Sequence, residues 1–216
     1  MAGPVLRFYG RHHGKRLSAA RQALMQTFLP RVRFSDVASL PKGVPLYLEI
    51  GFGGGEHLFA MAQRHPEAFF VGAEPFVNGV ASLVDMLHQN PQVQNVRIYP
   101  DDIRQVFDAL PDGIFDGIFL LYPDPWPKVR HEKRRFLVPS QQQQLARLLK
   151  PDGWLQVATD AADYALWAQQ VMQETGLWRQ TQTDIHCPPA DWVTTRYEQK
   201  GLKAGRMPSY FLYVKN

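Results

Sequence analysis

From residue 46 onward, short apolar runs alternate with stretches in which apolar residues recur at helical spacing. The runs are Leu46–Ile50, Phe69–Ala73, Val96–Tyr99, Ile114–Tyr122 and Trp154–Thr159. Between them lie Glu56–Arg64, Phe76–Gln89, Ile103–Leu110 and Ser140–Leu149. Strand following helix following strand predicts an α/β doubly wound sheet. Gly117–Leu121 carries no polar side chain, which suits a central strand covered on both faces. After Asp163 a further helix is predicted to about Glu174, then an extended stretch Leu177–Thr183, a Cys-Pro-Pro loop, a helix over Asp191–Gln199 and a strand over Ser209–Val214. These last strands should join the sheet as an antiparallel edge, leaving the rest mostly parallel. The Gln141–Gln144 run falls inside a helical pattern and reads as a helix face.

Residues 1–45 read as a basic arm, one helix at about Ser18–Phe28 and a linker through Pro41–Pro45; residues 46–216 read as a single domain. A chain of 216 residues is long enough for one substantial core. No segment approaches the roughly 20 apolar residues of a membrane span. Arg7, Arg11, Lys15 and Arg16 interrupt any apolar leader, so a cytoplasmic protein with no membrane contact is expected. The single cysteine, Cys187, excludes an internal disulfide and a cysteine-rich metal site, and the seven histidines lack metal-ligand spacing, so no metal is expected. Monomer and homodimer are both open.

Charge is unevenly placed. Residues 1–35 hold seven Lys/Arg and no acid, residues 128–135 five against one, and residues 196–206 four against one. The remainder of the chain has 8 basic and 18 acidic residues. Three basic segments on an acidic body, with Phe8, Tyr9, Phe34, Phe136 and Tyr197 among them, point to a polyanion that also stacks on aromatics, namely a nucleic acid.

Leu46–Ile50 runs into Gly51-Phe52-Gly53-Gly54-Gly55, a strand followed by a turn that lets backbone approach a ligand. A dinucleotide fingerprint would place glycine at position 56, where Glu56 stands. Glu49 just before the loop would repel a pyrophosphate but suits a cation. Glu49-x-Gly51-x-Gly53-x-Gly55 resembles the first motif of class I methyltransferases, whose Rossmann-like sheet binds S-adenosylmethionine, a sulfonium and ammonium without phosphate. Glu74 ends the second strand, where an acid can accept both ribose hydroxyls. Asp101-Asp102 ends the third, where one carboxylate, with Asp102 preferred, could hold the adenine amino group.

The fourth strand is followed by Tyr122-Pro123-Asp124-Pro125-Trp126-Pro127-Lys128 and then Val129-Arg130-His131-Glu132-Lys133-Arg134-Arg135. Prolines around Asp124 and Trp126 make a stiff turn holding a carboxylate and an indole on which a base can stack. With Tyr9-Gly10-Arg11-x-x-Gly14-Lys15, Glu49-Ile50-Gly51-Phe52-Gly53, Gly72-Ala73-Glu74, Thr159-Asp160 and Thr195-Arg196-Tyr197-Glu198, this stretch resembles the bacterial tRNA (guanine-N7-)-methyltransferase family over nearly the whole chain. Ile103 stands where that family more usually has a small residue, and the Cys187-Pro188-Pro189 loop matches no family role.

The resemblance implies methyl transfer from S-adenosylmethionine to N7 of guanine at position 46 in the tRNA variable loop. It puts cofactor contacts on Glu49, Gly51, Gly53, Glu74, Asp102 and Asp124. It puts substrate contacts on Lys128, Asp160 and the run Thr195, Arg196, Tyr197 and Glu198, with Arg130, His131, Glu132, Lys133, Arg134 and Arg135 as an RNA-contacting loop. Guanine N7 has a lone pair and no proton, so no general base is required; Asp124 is the candidate catalytic carboxylate, stabilising positive charge that moves toward the ring. Asp160 and Glu198 could accept from guanine N1–H and N2–H₂, and Lys128 could reach O6 or a phosphate. Structural roles compete at these positions: Asp160 as a helix cap, Thr195 and Glu198 as a capping box, Lys128 as a solvated lysine. The arm is expected to be disordered until RNA binds, so that losing residues 1–16 would weaken tRNA binding alone. Two other readings remain: a methyltransferase for a small molecule or protein, and an RNA-binding module on a decayed enzyme fold. A nicotinamide dehydrogenase is disfavoured by Glu49 and Glu56.

Overall fold

A computed structural model describes residues 8–216. Strands β1 (Leu46–Ile50), β2 (Phe69–Ala73), β3 (Val96–Tyr99), β4 (Phe115–Leu121), β5 (Leu149–Thr159), β6 (Trp178–Gln180) and β7 (Ser209–Lys215) form one sheet in the order β3-β2-β1-β4-β5-β7-β6. β1 to β5 run parallel, and β7 is antiparallel to both its neighbours, β5 and β6. This is the doubly wound, mostly parallel sheet that the alternation predicts, with the antiparallel strand one place in from the rim.

Side chains alternate across each strand, so β1 sends Leu46, Leu48 and Ile50 to one face and Tyr47 and Glu49 to the other. The first face is covered by α5 (Pro139–Leu148) and α6 (Ala162–Glu174), through Leu145, Leu148, Tyr164 and Ala168. The second is covered by α3 (Glu56–Arg64) and α4 (Val77–Gln89), through Leu58, Val80, Leu83 and Leu87. Two N-terminal helices, α1 (Ala19–Thr27) and α2 (Leu29–Val32), add to that second layer. Arg21 pairs with Asp85 of α4 at 3.3 Å, and the Phe34 amide donates to Ile98 O at 2.8 Å.

Three segments differ from the sequence reading. Ile103–Leu110 is not an α-helix but two 3₁₀ turns, Ile103–Gln105 and Phe107–Ala109. The Asp102 side chain accepts from Arg104 N, and Val106 leaves the helical region, so the turn never propagates. Ile103, Phe107 and Leu110 are nevertheless buried, which accounts for the helical spacing. β5 begins at Leu149, not Trp154: Phe115 pairs with Leu149, Gly117 with Trp154, and the extra residues form a bulge around Asp152, whose φ is 63°. The helix expected at Asp191–Gln199 is α7, Arg196–Lys203. Thr195 Oγ1 accepts from Glu198 N at 3.1 Å and so fixes the start later than the polarity pattern indicates.

The Gln run is a helix face, but Gln142 faces inward and is fully buried. Its amide donates to Leu137 O (2.8 Å) and Val171 O (3.2 Å), and its oxygen accepts from Thr175 Oγ1 (2.7 Å) and Trp178 Nε1 (3.1 Å), tying α5 to α6 and β6. Gln142→Leu should therefore destabilise the fold by about 2–4 kcal/mol by leaving these groups unpaired. Urea unfolding of the variant against the parent protein checks the value.

Candidate active site

The sheet leaves a crevice beyond the carboxyl ends of β1 and β4, where chain connections part to opposite faces. A cleft of about 310 Å³ occupies it. Its floor is the loop after β1. Gly51 and Gly53 have φ of 73° and 57°, left-handed values that side chains disfavour. Gly79 of α4 lies against this loop so closely that an added Cβ would clash with Gly53 O. The same Gly53 faces the Tyr197 ring, which roofs that end of the cleft.

Acidic side chains line the walls. Glu74 accepts from Gly53 N at 2.7 Å and from Phe76 N at 2.8 Å, so it locks the first glycine loop to the turn before α4. Burial pushes its carboxyl up to about 7; the two amide donors lower it, and the Asp124 and Glu49 carboxylates add to the rise. Asp102 and Asp101 both border the cleft, but in different states. Asp102 is buried and gripped by the Arg104 guanidinium through both oxygens at 3.0 Å. Asp101 is half-buried, accepting from Asp102 N (2.7 Å) and Gln105 Nε2 (3.1 Å). The preference for Asp102 as the adenine contact therefore meets a carboxylate already neutralised by Arg104. Glu49 is not in the main cleft; it borders a smaller adjoining cavity with His57, Tyr122, Thr195 and Tyr197.

After β4 the chain turns through Tyr122 (φ 52°) and Trp126 (φ 43°), two side-chain-bearing residues in the left-handed region on either side of Pro123-Asp124-Pro125. Such conformations persist only where the surroundings impose them. Arg135 does so. The sequence reading put it among RNA contacts, but it is buried, with Nε donating to Pro125 O (2.9 Å) and Nη2 to Trp126 O (3.3 Å) and its guanidinium 4.6 Å from the Trp167 ring. Its guanidinium is turned to the backbone of the turn and to Glu132 rather than to solvent. Asp124 reaches the cleft, and partial burial raises its carboxyl pKa.

Arg134 lies between two aromatic faces, 4.4 Å from the Tyr9 ring and 5.0 Å from Trp126. Tyr9 belongs to the N-terminal arm, which is laid across the cleft rather than free of it. Phe8 to Arg11 line the cavity, His12 O accepts from Val77 N (2.9 Å), and Asn78 clamps Gly14 N and Lys15 O at 2.7 Å each. The expectation of a disordered arm is corrected for residues 8–16 by these contacts; residues 1–7 lie outside the described residues.

The remaining predicted substrate residues divide into outward and inward groups. Arg130 and Lys133 are exposed on a 3₁₀ segment, Val129–Arg134, and Lys128 is exposed at its N-cap, with His131 edge-on to Trp126 at 5.8 Å and Glu132 facing Arg135 at 3.4 Å. Three nearby cations and some burial lower the His131 pKa, burial first. Asp160 does not cap α6, whose N-cap is Ala161; it accepts from Arg206 Nε at 2.7 Å and packs against Gly201. Thr195 is the N-cap of α7, and Arg196 reaches Glu56 at 3.2 Å. Glu198 belongs to the inward group: it is 3% exposed, and its oxygens accept from Trp192 Nε1 and Tyr210 Oη, each at 2.7 Å. Each of its oxygens thus already holds one protein donor, and the side chain faces Trp192 and Tyr210. Burial, the Glu74 and Asp124 carboxylates and the Glu56 carboxylate raise the Tyr197 pKa, marking it as the group of α7 nearest the acidic cleft.

Sequence reasoning left Phe8, Tyr9 and Arg11, His57, Phe76 and Phe136 out of the site. The aromatic and arginine content of the arm was the available signal for the first three. Alternation in β1 was the signal for His57, because it turns Glu49 toward the face that α3 covers.

Comparison with known proteins agrees with this architecture. A family model described as "Putative methyltransferase" matches residues 44–209. The chain is 44% identical to the tRNA (guanine-N(7)-)-methyltransferase of Rhodospirillum rubrum over 222 residues, covering 96% of this chain and 87% of that protein. It is 44% identical to the protein of that name from Caulobacter vibrioides over 207 residues (93% and 91%), and 40% identical to that of Granulibacter bethesdensis over 220 (97% and 95%). Among solved structures, the 16S rRNA (adenine(1408)-N(1))-methyltransferase mutant from Catenulisporales acidiphilia, determined with its cosubstrate, superposes with a TM-score of 0.56 at 14% identity, over 92% of each chain. An antibiotic related methyltransferase superposes at 0.52 and 14%, over 94% of this chain and 96% of that one, so the fold is that of methyltransferases. The glycine loop, the Pro-Asp-Pro-Trp turn with its basic continuation and these whole-length relatives together place the chain in the tRNA (guanine-N(7)-)-methyltransferase family.

Proposed function

We propose that this protein transfers the methyl group of S-adenosylmethionine to N7 of guanine at position 46 in the variable loop of cytoplasmic tRNA. The observation that carries the reading is the strained turn at the end of β4, which presents Asp124 and Trp126 to a carboxylate-lined cleft beside an exposed basic segment. Whole-length relatives named for tRNA guanine-N7 methylation support the acceptor. Position 46 rests on the resemblance of the Pro123–Arg135 run to that family.

The donor set fits a cationic, hydroxyl-bearing ligand. Glu49, Glu74, Asp101, Asp102 and Asp124 border the two adjoining cavities, and those not paired with arginine disfavour a pyrophosphate. Glu74 would accept ribose hydroxyls, Asp101 or Asp102 the adenine amino group, and Glu49 the ammonium. When bound, S-adenosylmethionine supplies an activated methyl group on a sulfonium. Asp124 then has two tasks: it helps seat the donor, and its carboxylate stabilises the positive charge that the guanine ring acquires. Trp126 offers a face for the base, Tyr197 closes the far side, and Lys128, Arg130 and Lys133 hold phosphates. No residue need take a proton in the transfer step. A slot of this kind admits a base only after it leaves its stack.

Incubation of unmodified tRNA with labelled S-adenosylmethionine should yield 7-methylguanosine, and none when guanine 46 is replaced; methylation elsewhere would refute the assignment of position. Asp124→Asn should lower kcat by about a hundredfold, with tRNA affinity retained. Because only ionised Glu74 accepts two ribose hydroxyls, donor affinity should rise as pH climbs through about 7, and Glu74→Gln should flatten that dependence in calorimetric titrations. Removing residues 1–16 should weaken binding of both donor and tRNA, since the arm lines the cleft, and parallel binding isotherms will separate this from loss of tRNA binding alone.

A further inference from the structure

His57 stands in the first turn of α3, directly after the glycine loop. Its Nδ1 lies 2.7 Å from Glu49 Oε2, and both side chains are only 3% exposed. The imidazole is fixed from two sides: its ring is 4.9 Å from Phe119, edge to face, and 5.7 Å from Trp192. An ionised carboxylate can only accept, so Nδ1 carries the hydrogen of this bond.

Among the described residues no other donor reaches the Glu49 carboxylate, although a buried carboxylate with a single partner is costly. One oxygen is pinned by His57 and the other is left without a protein partner, at the small cavity bordered by Tyr122, Thr195 and Tyr197. We propose that His57 is a positioning residue: by holding one oxygen of Glu49, it aims the other at the ammonium group of the methyl donor. The inference rests on Glu49 as the ammonium contact and adds to it the residue that orients the carboxylate. A side chain that served only to fill the core between Phe119 and Trp192 would need shape but no donor at Nδ1.

The test uses two ligands that share an adenosine and a thioether. S-adenosylhomocysteine carries the ammonium, and 5′-methylthioadenosine lacks it. His57→Leu should weaken S-adenosylhomocysteine by about tenfold or more, as expected for a lost hydrogen bond to a charged group, and leave 5′-methylthioadenosine unchanged by calorimetry. His57→Asn, whose amide nitrogen sits near the Nδ1 position, should restore most of the difference. Unchanged affinity for both ligands in His57→Leu, or equal weakening of both, overturns the positioning role. Glu49→Gln is measured in parallel: if it spares S-adenosylhomocysteine, the Glu49 reading itself fails. If it weakens that ligand while His57→Leu does not, only the role of His57 fails.

Discussion

The site depends on the parting of connections between β1 and β4. Layers lie on both faces of the sheet, so the loop leaving β1 turns toward α3 while the chain leaving β4 turns toward α5, and the crevice between them stays open. Two walls of the cleft are short extensions of these two strands: the glycine loop from one, the Asp124 turn from the other. Each is then tied to something rigid. Glu74 binds the glycine loop to the start of α4, and Arg135 binds the Pro-Asp-Pro-Trp turn to α6 through Trp167. A buried guanidinium and a buried carboxylate therefore do equivalent work on the two sides of the cleft, each through hydrogen bonds to backbone.

Charge follows the same division. Carboxylates gather where walls keep water low, which raises the proton affinity of Glu74 and Asp124. The cations on Lys128, Arg130 and Lys133 remain at the surface, where water screens them until a polyanion displaces it. The interior is thereby suited to a cationic ligand and the rim to an anionic one, with Trp126 at the boundary between them. Arg134 bridges these zones, stacked between Tyr9 and Trp126.

The chain's alternation of patterns made the sheet legible, and the bounds of α3 and of β1 to β3 were readable to the residue because glycine, proline or a charged cluster punctuates each. The errors share one cause. Ile103–Leu110 has helical spacing because two 3₁₀ turns bury the same residues that a helix would. Glu198, Arg135 and Gln142 are polar letters whose direction is set by long-range packing: Tyr210 reaches Glu198 from β7, Arg135 reaches back ten residues to Pro125, and Gln142 faces α6. A linear pattern gives residue type and period, and it gives no sign of whether an arginine in a basic run faces water or its own backbone. Residue types at the strand ends were readable because a carboxyl-edge position alone exposes them to the crevice.

The position of β7 bears on how the chain is made. It follows β6 in sequence but lies between β5 and β6 in the sheet. During synthesis, then, β6 emerges with no strand to join, and β5 presents a bare edge of unpaired amides until residues 209–215 leave the ribosome. The same strand delivers Tyr210 to Glu198 and so settles the helix that bears Tyr197. A nascent chain halted before that strand would hold the glycine loop and the proline turn without their roof, and would be open to sticking to its neighbours along β5.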